Sequence, residues 1–328
     1  MTAAVDGRSR TRLLAWLGIA LSIGFAYVAF RDVDLAALRR ALSSQEYVFL
    51  VPAAAALAVG VLLRAWRWQL LFERRSRPRY RYCLNALLIG YLFNTILPAR
   101  AGELVRVQVL GRRTEISRAQ VLATVVLERT YDVIVLVLLL ACATPFLPPV
   151  SWRTPALVLG ALLLGGLVAV AVLAQRSGGA SDSVKRHLAR LPFVGPERIE
   201  RIGANFLAGL VSLRVTRMAL AGFLATSASW LALALSTWFV LLGTEIEAGF
   251  GAALLVLVAT NLVLVLPSSP AALGAFEAAT VLALSAYGVD REQALSFALV
   301  LHALNAFPYL PLGYVALVLH GRAMSRRA

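Results

Sequence analysis

Ionisable and amide side chains stand inside or beside apolar stretches of this sequence, where they could bind a charged group. They are Asn94, Arg100, Glu103, Arg106, Glu128, Arg129, Asp132, Glu277, His302 and Asn305, joined by the hydroxyls of Ser268 and Ser269. A charge at the middle of a bilayer costs roughly 2.5 kcal/mol or more unless it is paired or hydrated, and such residues therefore mark substrate or ion pathways. We predict that this set binds a substrate, with no catalytic residues, no metal site and no cofactor among them.

The composition places these residues in a membrane protein. Of the 328 residues, 60% are hydrophobic and 15% are charged, and the mean hydropathy is +0.77. A run of about twenty apolar residues crosses a bilayer core of roughly 30 Å, and the chain has several such runs. The net charge of +15 is explained by basic loops, so nucleic acid is not an expected partner. Cys83 and Cys142 lie in apolar context without metal-ligand spacing.

The expected architecture is an all-α polytopic membrane protein, forming a single integral membrane domain over residues 1–328. The apolar runs predict full spans at about 13–30, 47–64, 119–143, 155–174, 218–242 and 293–319. Two further stretches, 83–110 and 250–287, are each interrupted by a proline and a polar, glycine-containing turn. The segment 175–217 reads as an amphipathic helix pair on the cytoplasmic membrane surface.

Loop charges give the orientation and suggest an internal repeat. Arginine concentrates at the N-terminus, between about 64 and 81, in the 175–217 segment and in the C-terminal tail, which places these parts in the cytoplasm. Both interrupted stretches then begin and end on one side, as re-entrant hairpins that enter from opposite faces. A first unit, about 47–143, and a second, about 218–320, form an inverted repeat, an architecture of secondary transporters.

The breaks in the two hairpins predict anion-binding helix ends. Pro98 interrupts the first hairpin, Gly102 permits a tight turn, and a helix can begin near Glu103. In the second, Ser269 is a candidate N-cap with Pro270 at the first helical position. Each helix N-terminus would carry free N–H groups that suit a phosphate or carboxylate.

A purely structural interpretation stands beside the functional one. Glu128 and Asp132 share a helix face, and the expected partners of Glu128 are Arg100 and Arg106. The charged cluster could simply tie helices together, the asparagines could make interhelical hydrogen bonds, and the serines could be plain caps. In the last span, Pro308 and Pro311 should bend the helix.

Four motifs in order resemble the lysylphosphatidylglycerol synthase transmembrane-domain family, also called flippase-like. The matching residues are Asn94, Pro98, Arg100, Gly102, Glu103 and Arg106; Glu128, Arg129 and Asp132; Pro267, Ser269, Pro270, Gly274, Phe276 and Glu277; and His302, Pro308 and Gly313. The resemblance runs from about 50 to 320. Ala271 departs from it, because the family often has glycine there.

The resemblance implies movement of a phospholipid or a polyprenyl-linked lipid between leaflets. Related stand-alone members accompany hopanoid or glycolipid synthesis, so the expected partners are membrane lipids with an anionic head group. The chain ends eight residues after His320, so the aminoacyl-transferase domain of the larger members, and lysyl transfer with it, is not expected.

The expected location is the inner membrane of a bacterium, with both termini in the cytoplasm. Two rivals stay open: an integral membrane transferase that acts on a lipid phosphate, and a non-catalytic partner of a lipid-biosynthesis enzyme. A homodimer is a further candidate assembly that the resemblance suggests.

Overall fold

The architecture comes from a computed structural model of the chain. It describes residues 23–27, 33–98, 100–144, 148, 154–155, 158, 161–162, 165–166, 216–263 and 269–325. The predicted spans 13–30 and 155–174 lie largely outside the described residues, and the predicted surface segment 175–217 lies almost wholly outside them. The short described pieces of both spans are helical.

Helices account for every regular element of the described residues. In chain order they are α1 (Leu35–Ser43), α2 (Leu50–Leu70), α3 (Tyr80–Ile96), α4 (Gly102–Arg113), α5 (Arg118–Ala143), α6 (Thr216–Leu242), α7 (Phe250–Val263), α8 (Ala275–Ser285), α9 (Arg291–Ala306) and α10 (Tyr309–Ser325). Short 3-10 turns at Tyr47–Phe49 and Pro270–Ala272 precede α2 and α8. The all-helical part of the fold prediction is confirmed.

An antiparallel pair, α2 and α6, forms the centre of the molecule. At one end the Glu46 amide donates to the Gly243 carbonyl at 2.7 Å. Near the middle, a Cβ on Gly60 would lie 3.2 Å from the Leu233 side chain, so the two helices approach closely at this glycine. The largest cluster of buried apolar side chains joins these helices to α5, α7, α8 and α9.

Three helical segments are long and apolar enough to cross a membrane, among the residues described: Tyr47–Leu70, Arg217–Leu242 and Arg291–Ala323. Helix α5 has 26 residues and, at 1.5 Å per residue, is about 39 Å long. It has the length of a span but carries Glu128, Arg129 and Asp132 within it. The chain is therefore a multi-pass α-helical membrane protein.

Two predicted boundaries need correction. The span expected at 47–64 continues to Leu70, so Arg64 and Arg67 lie inside a helix instead of a loop. Apolar residues resume after each arginine, and the helix has no reason to end there. The span expected at 293–319 consists of two helices, α9 and α10, that meet at 307–308, so the helix is interrupted beside Pro308, where the bend is predicted.

Two pairs of short helices match the interrupted stretches. Helices α3 and α4 have 17 and 12 residues, and α7 and α8 have 14 and 11. At 1.5 Å per residue these lengths are about 17–26 Å, shorter than a bilayer core of roughly 30 Å. The members of each pair pack against one another.

In each pair, the helix ends farthest from the turn that joins the two helices form the open end. Contacts place the open ends of the two pairs at opposite ends of the molecule. Arg113, the last residue of α4, donates to the Ala323 carbonyl at 2.9 Å and lies over the ring of Tyr82 in the first turn of α3. We call this the basic end. The opposite, acidic end has α1 packed on α9, and Gln45 donates there to Ser296 at 2.6 Å. The loop expected at 31–46 thus contains the helix α1.

Candidate functional site

A polar cavity of about 200 Å³ lies where the breaks of the two helix pairs meet the remaining helices. A water molecule needs only about 10–15 Å³ of such space, so the cavity can hold a small head group or several waters. Seven predicted site residues line it: Asn94, Arg100, Glu103, Arg129, Ser269, His302 and Asn305. Arg106, Glu128, Asp132 and Glu277 stand behind its wall, and Ser268 lies outside the described residues.

An ion-pair network forms the wall on the α5 side, and its centre is Arg67. The Arg67 side chain is fully buried; its guanidinium contacts the carboxylate of Glu128 at 2.9 Å and that of Asp132 at 2.5 Å. Trp230 adds an indole N–H to Asp132 at 3.0 Å. Because Glu128 and Asp132 are four residues apart on α5, one arginine from α2 can bridge both, which confirms that they share a face.

Two more arginines complete the network. Arg106 contacts Glu128 at 3.1 Å and Glu103, one turn earlier on α4, at 2.5 Å. Arg129 contacts Glu128 at 2.7 Å and reaches Glu103 at 3.5 Å. With Arg67 and Asp132, three arginines balance three carboxylates. Buried ions are tolerated in this way, since an unpaired one would carry its full desolvation cost.

The predicted partners of Glu128 are confirmed in part. Arg106 contacts it as expected, whereas Arg100 is not within 4.0 Å of a carboxylate in the described part of the chain. Arg67 contacts Glu128 instead of Arg100. The correction follows from α2 being longer than expected, because its last two turns bring Arg67 beside α5.

Two cavity arginines remain outside the network. Neither Arg64 nor Arg100 has a carboxylate oxygen within 4.0 Å among the described residues. Arg64 bonds the Tyr91 hydroxyl at 3.3 Å, and its guanidinium lies 4.6 Å from the Trp230 ring centroid. Arg100 adopts a left-handed backbone with φ 53°, which costs an L-residue roughly 1–2 kcal/mol. Both guanidinium groups face the cavity with their charge uncompensated by a paired carboxylate.

On the side of the cavity formed by α8 and α9, Glu277 and His302 make a second set of hydrogen bonds. The Glu277 carboxylate accepts the Gly274 N–H at 2.7 Å and lies 2.5 Å from Nδ1 of His302. Nε2 of His302 is 2.9 Å from the carbonyl oxygen of Ala271. A carbonyl only accepts, so Nε2 carries a hydrogen, and one proton is shared between Nδ1 and Glu277. The pair fixes the left-handed turn formed by Ala271, Ala272 and Gly274.

These contacts limit the free N–H groups predicted at the two helix ends, because some of the terminal amides already have partners within the protein. At α8 the carboxylate of Glu277 occupies the anion position itself. At α4 the amides of Glu103 and Leu104 bond to the carbonyls of Arg100 and Ala101 at 3.0 and 3.1 Å. The positive groups that face the cavity are arginine side chains.

The predicted turn residues have different roles from those expected. Gly102 is the first residue of α4, and a Cβ there would overlap the carbonyl oxygen of Gly90 on α3. It is needed for close approach, and the left-handed residue is Arg100. Ser269 precedes Pro270 as expected, but its hydroxyl bonds to the carbonyls of Pro270 and Leu273 and caps no helix N–H.

The two predicted asparagines both line the cavity. Asn94 has a buried Oδ1 without a hydrogen-bond partner. Asn305 donates from Nδ2 to the carbonyl of Leu301, one turn earlier, at 2.8 Å. Within the described ranges, no three His, Cys, Asp or Glu side chains are grouped so that they could hold a metal ion.

Several residues at the cavity are not evident from the sequence. The basic run after residue 64 predicts a loop, although the apolar pattern runs on for two turns past Arg64; Arg64 lines the cavity and Arg67 lies in the ion-pair network beside it. Uncharged polar residues were missed because a single hydroxyl or amide in an apolar helix is an ordinary feature: Tyr91, Thr95, Thr237, Thr260, Asn261 and Tyr309. The adjacent pair Thr260 and Asn261, in an otherwise apolar helix, was the available signal.

Comparison with known proteins bears on the family to which the chain belongs. No curated protein matches the chain. A family model described as "Lysylphosphatidylglycerol synthase TM region" matches residues 15–313, which include all described helices that form the cavity except the end of α10. The resemblance noted from the motifs is thereby confirmed, and the chain belongs to the lysylphosphatidylglycerol synthase TM region family.

Proposed function

We propose that this protein moves a lipid with an anionic head group from one membrane leaflet to the other. The observation that carries the proposal is the pair of cavity arginines, Arg64 and Arg100, which have no carboxylate partner among the described residues. A charged group kept at membrane depth without a partner of opposite charge is best explained by a ligand that supplies that charge. Guanidinium groups bind phosphate oxygens through paired N–H donors.

The proposed mechanism uses α3–α4 and α7–α8 as re-entrant hairpins. Each helix is shorter than a bilayer core of roughly 30 Å, and the two pairs open toward opposite ends of the molecule. Together with the antiparallel pair α2 and α6, they would form an inverted repeat, with the cavity near the bilayer midplane. Irregular backbone is tolerated at that depth where it lines a polar cavity. Movement of one unit against the other would open the cavity to alternate leaflets.

The basic end would face the cytoplasm of a bacterial inner membrane. It collects Arg74, Arg75, Arg77 and Arg79 from the α2–α3 loop, together with Arg112 and Arg113. Arginine in short loops favours the cytoplasmic side. A membrane-impermeant thiol reagent that labels a cysteine placed at position 75 only from outside would contradict this orientation.

The bonding of the carboxylates favours transport over a membrane transferase. Every network carboxylate is within 4.0 Å of at least two arginines. Both ring nitrogens of His302 are engaged, by Glu277 and by the Ala271 carbonyl. A carboxylate that two arginines hold in its charged form is a weak proton acceptor, and this does not favour general-base chemistry at these groups.

Reconstitution into liposomes tests the proposal. The full-length protein is placed in vesicles that contain trace fluorescent phosphatidylglycerol, and dithionite quenching reports exchange between leaflets. We expect exchange with the wild type and a loss of at least tenfold with Arg100→Ala. Arg75→Ala, an exposed arginine of the α2–α3 loop, is the matched control and should exchange normally. Equal exchange by wild type and Arg100→Ala would defeat the assignment.

A further inference from the structure

Two buried side chains on the α8–α9 side of the cavity share a proton. His302 lines the cavity with its ring centroid 4.6 Å from that of Phe276, and Glu277 lies behind it. Nε2 of His302 carries a hydrogen because it bonds to the Ala271 carbonyl, and one more hydrogen lies between Nδ1 and the Glu277 carboxylate. The two forms of this arrangement are imidazolium with carboxylate and imidazole with carboxylic acid. The pair therefore holds one exchangeable proton and is neutral as a whole.

A second proton on this pair would act on the backbone of the cavity wall. It converts Glu277 to a carboxylic acid beside an imidazolium, and a neutral acid accepts the Gly274 N–H and the Nδ1–H less strongly than a carboxylate does. These bonds hold a turn in which Ala271 and Ala272 have φ 53° and 59°, a conformation that alanine disfavours. Both alanines line the cavity. The second proton thus loosens strained backbone at the wall of the cavity.

The charge of a ligand in the same cavity acts on this second proton. The titratable or charged side chains that line the cavity with His302, among the described residues, are Arg64, Tyr91, Arg100, Glu103, Arg129 and Tyr309. Helix α7 adds none between Phe250 and Val263, and Arg291 and Glu292 lie at the start of α9, roughly 15 Å from His302 along the helix axis. An anionic head group beside the arginines offsets their charge, which favours an added positive charge on the pair. Ligand and proton then bind cooperatively, and each raises the affinity of the other by the same factor.

Resting on the proposed function, we propose that Glu277 and His302 form a proton-binding site, and that one proton crosses the membrane with each anionic lipid. The proton comes from water in the cavity and binds to Glu277 when the head group lies against Arg64 and Arg100. It returns to water on the other side when the lipid leaves. One proton and one singly charged head group carry no net charge together, so a pH gradient drives this movement and the membrane potential does not.

A pH gradient across liposomes tests the proposal. The full-length protein is placed in vesicles with trace fluorescent phosphatidylglycerol, a singly charged probe, and dithionite reports the fraction of label in the outer leaflet. With the interior more acidic by about one pH unit, one proton per lipid predicts about a tenfold excess of label in the outer leaflet at equilibrium. Nigericin, which collapses the gradient, should restore an equal distribution. A potassium potential set with valinomycin should leave the distribution equal, and vesicles without protein give the baseline.

Glu277→Gln removes the proton site but keeps an acceptor for the Gly274 N–H and a donor for Nδ1 of His302. Under the same gradient its label should stay equally distributed between the leaflets. His320→Asn is the matched control and should respond like the wild type. His320 lies toward the basic end of α10, roughly 16 Å along the helix from the cavity residue Tyr309.

Calorimetry gives a second measurement that does not depend on turnover. Dihexanoyl phosphatidylglycerol is titrated into the detergent-solubilised full-length protein in buffers of different ionisation enthalpy, which reports the protons taken up on binding. We expect the wild type to take up about one proton per lipid bound, because ligand and proton binding are linked. Glu277→Gln should take up none.

Each outcome bears on a different part of the proposal. Leaflet exchange by the wild type without an excess on the alkaline side would overturn proton cotransport and leave the transport proposal intact. An excess, or a proton uptake, that is as large in Glu277→Gln as in the wild type would overturn the assignment to this pair. Absence of exchange by the wild type at every pH would defeat the transport proposal, and proton cotransport with it.

Discussion

The two helix pairs share a break in the backbone but differ in the chemistry that surrounds it. In each, the second residue after a proline is left-handed: Arg100 after Pro98, with φ 53°, and Ala272 after Pro270, with φ 59°. A glycine follows two residues later in both. The proline and the glycine that the two stretches share in the sequence are therefore accompanied by a shared left-handed backbone conformation.

The bonds around the two breaks run in different directions. In the first pair, Glu103 and Arg106 bond outward to α5, and Arg100 is left facing the cavity. In the second pair, Glu277 bonds inward to Gly274 and His302, within its own half of the molecule. The comparison separates two tasks: the first pair presents charge, and the second holds the shape of the cavity.

Of the substitutions that test this difference between the two helix pairs, Arg67→Leu should have the largest effect. It leaves Glu128 and Asp132 with one fewer arginine in a buried site, and removing one partner of a buried ion pair costs about 3–5 kcal/mol. We expect a loss of this size in the free energy of unfolding, measured in mixed detergent micelles. Arg64→Leu, one turn earlier on α2, removes no partner of a carboxylate and should cost less than about 1 kcal/mol while abolishing binding of anionic lipid. Equal destabilisation by the two variants would refute the division between network and ligand arginines.

Gly102→Ala should have the next largest effect. A Cβ at this position meets the Gly90 carbonyl oxygen and Oδ1 of Asn94, so α3 and α4 must move apart. Overpacking of this kind costs about 1–3 kcal/mol, and the displaced α4 would also weaken the contact of Arg106 with Glu128. The free energy of unfolding is again measured in mixed detergent micelles. Gly249→Ala is the control, because nothing lies within 4 Å of its Cβ position; if it destabilised the protein as much, close packing would not be the reason.

The sequence predicted the breaks but not the distribution of bonds. Pro98 and Pro270 remove backbone donors, and this local effect is readable in any sequence. The role of Arg67 is not local, because it depends on how far α2 extends and on which face of α5 it meets. The pairing of Glu277 with His302 likewise joins residues 25 positions apart, through the packing of α8 on α9.

Glu277→Ala tests whether the second pair is held by its own bonds. The change leaves the Gly274 N–H and the His302 ring without their partner, and a hydrogen bond to a charged group contributes about 1.5–3 kcal/mol. We expect a loss of about 2 kcal/mol in the free energy of unfolding. Glu277→Gln keeps an acceptor for Gly274 and a donor for Nδ1 of His302, so it should cost less than half as much. A glutamine variant as unstable as the alanine variant would mean that the negative charge, and not the hydrogen bonds, holds the turn.

Ala271→Gly should have the smallest effect and the opposite sign. Ala271 has φ 53° and ψ 5°, a conformation in which the alanine Cβ is disfavoured and glycine is not. Relief of this strain, offset in part by the greater freedom of glycine in the unfolded chain, should raise the free energy of unfolding by about 0.5–1 kcal/mol. Ala278→Gly, in the regular part of α8, should lower it by about 0.5–1 kcal/mol. The two positions are seven residues apart and the substitution is the same. If the free energy of unfolding rises for Ala271→Gly and falls for Ala278→Gly, the bond from His302 holds the turn in a conformation that alanine disfavours. Like signs would mean that the left-handed turn carries no strain, and the second helix pair would then differ from the first only in its charges.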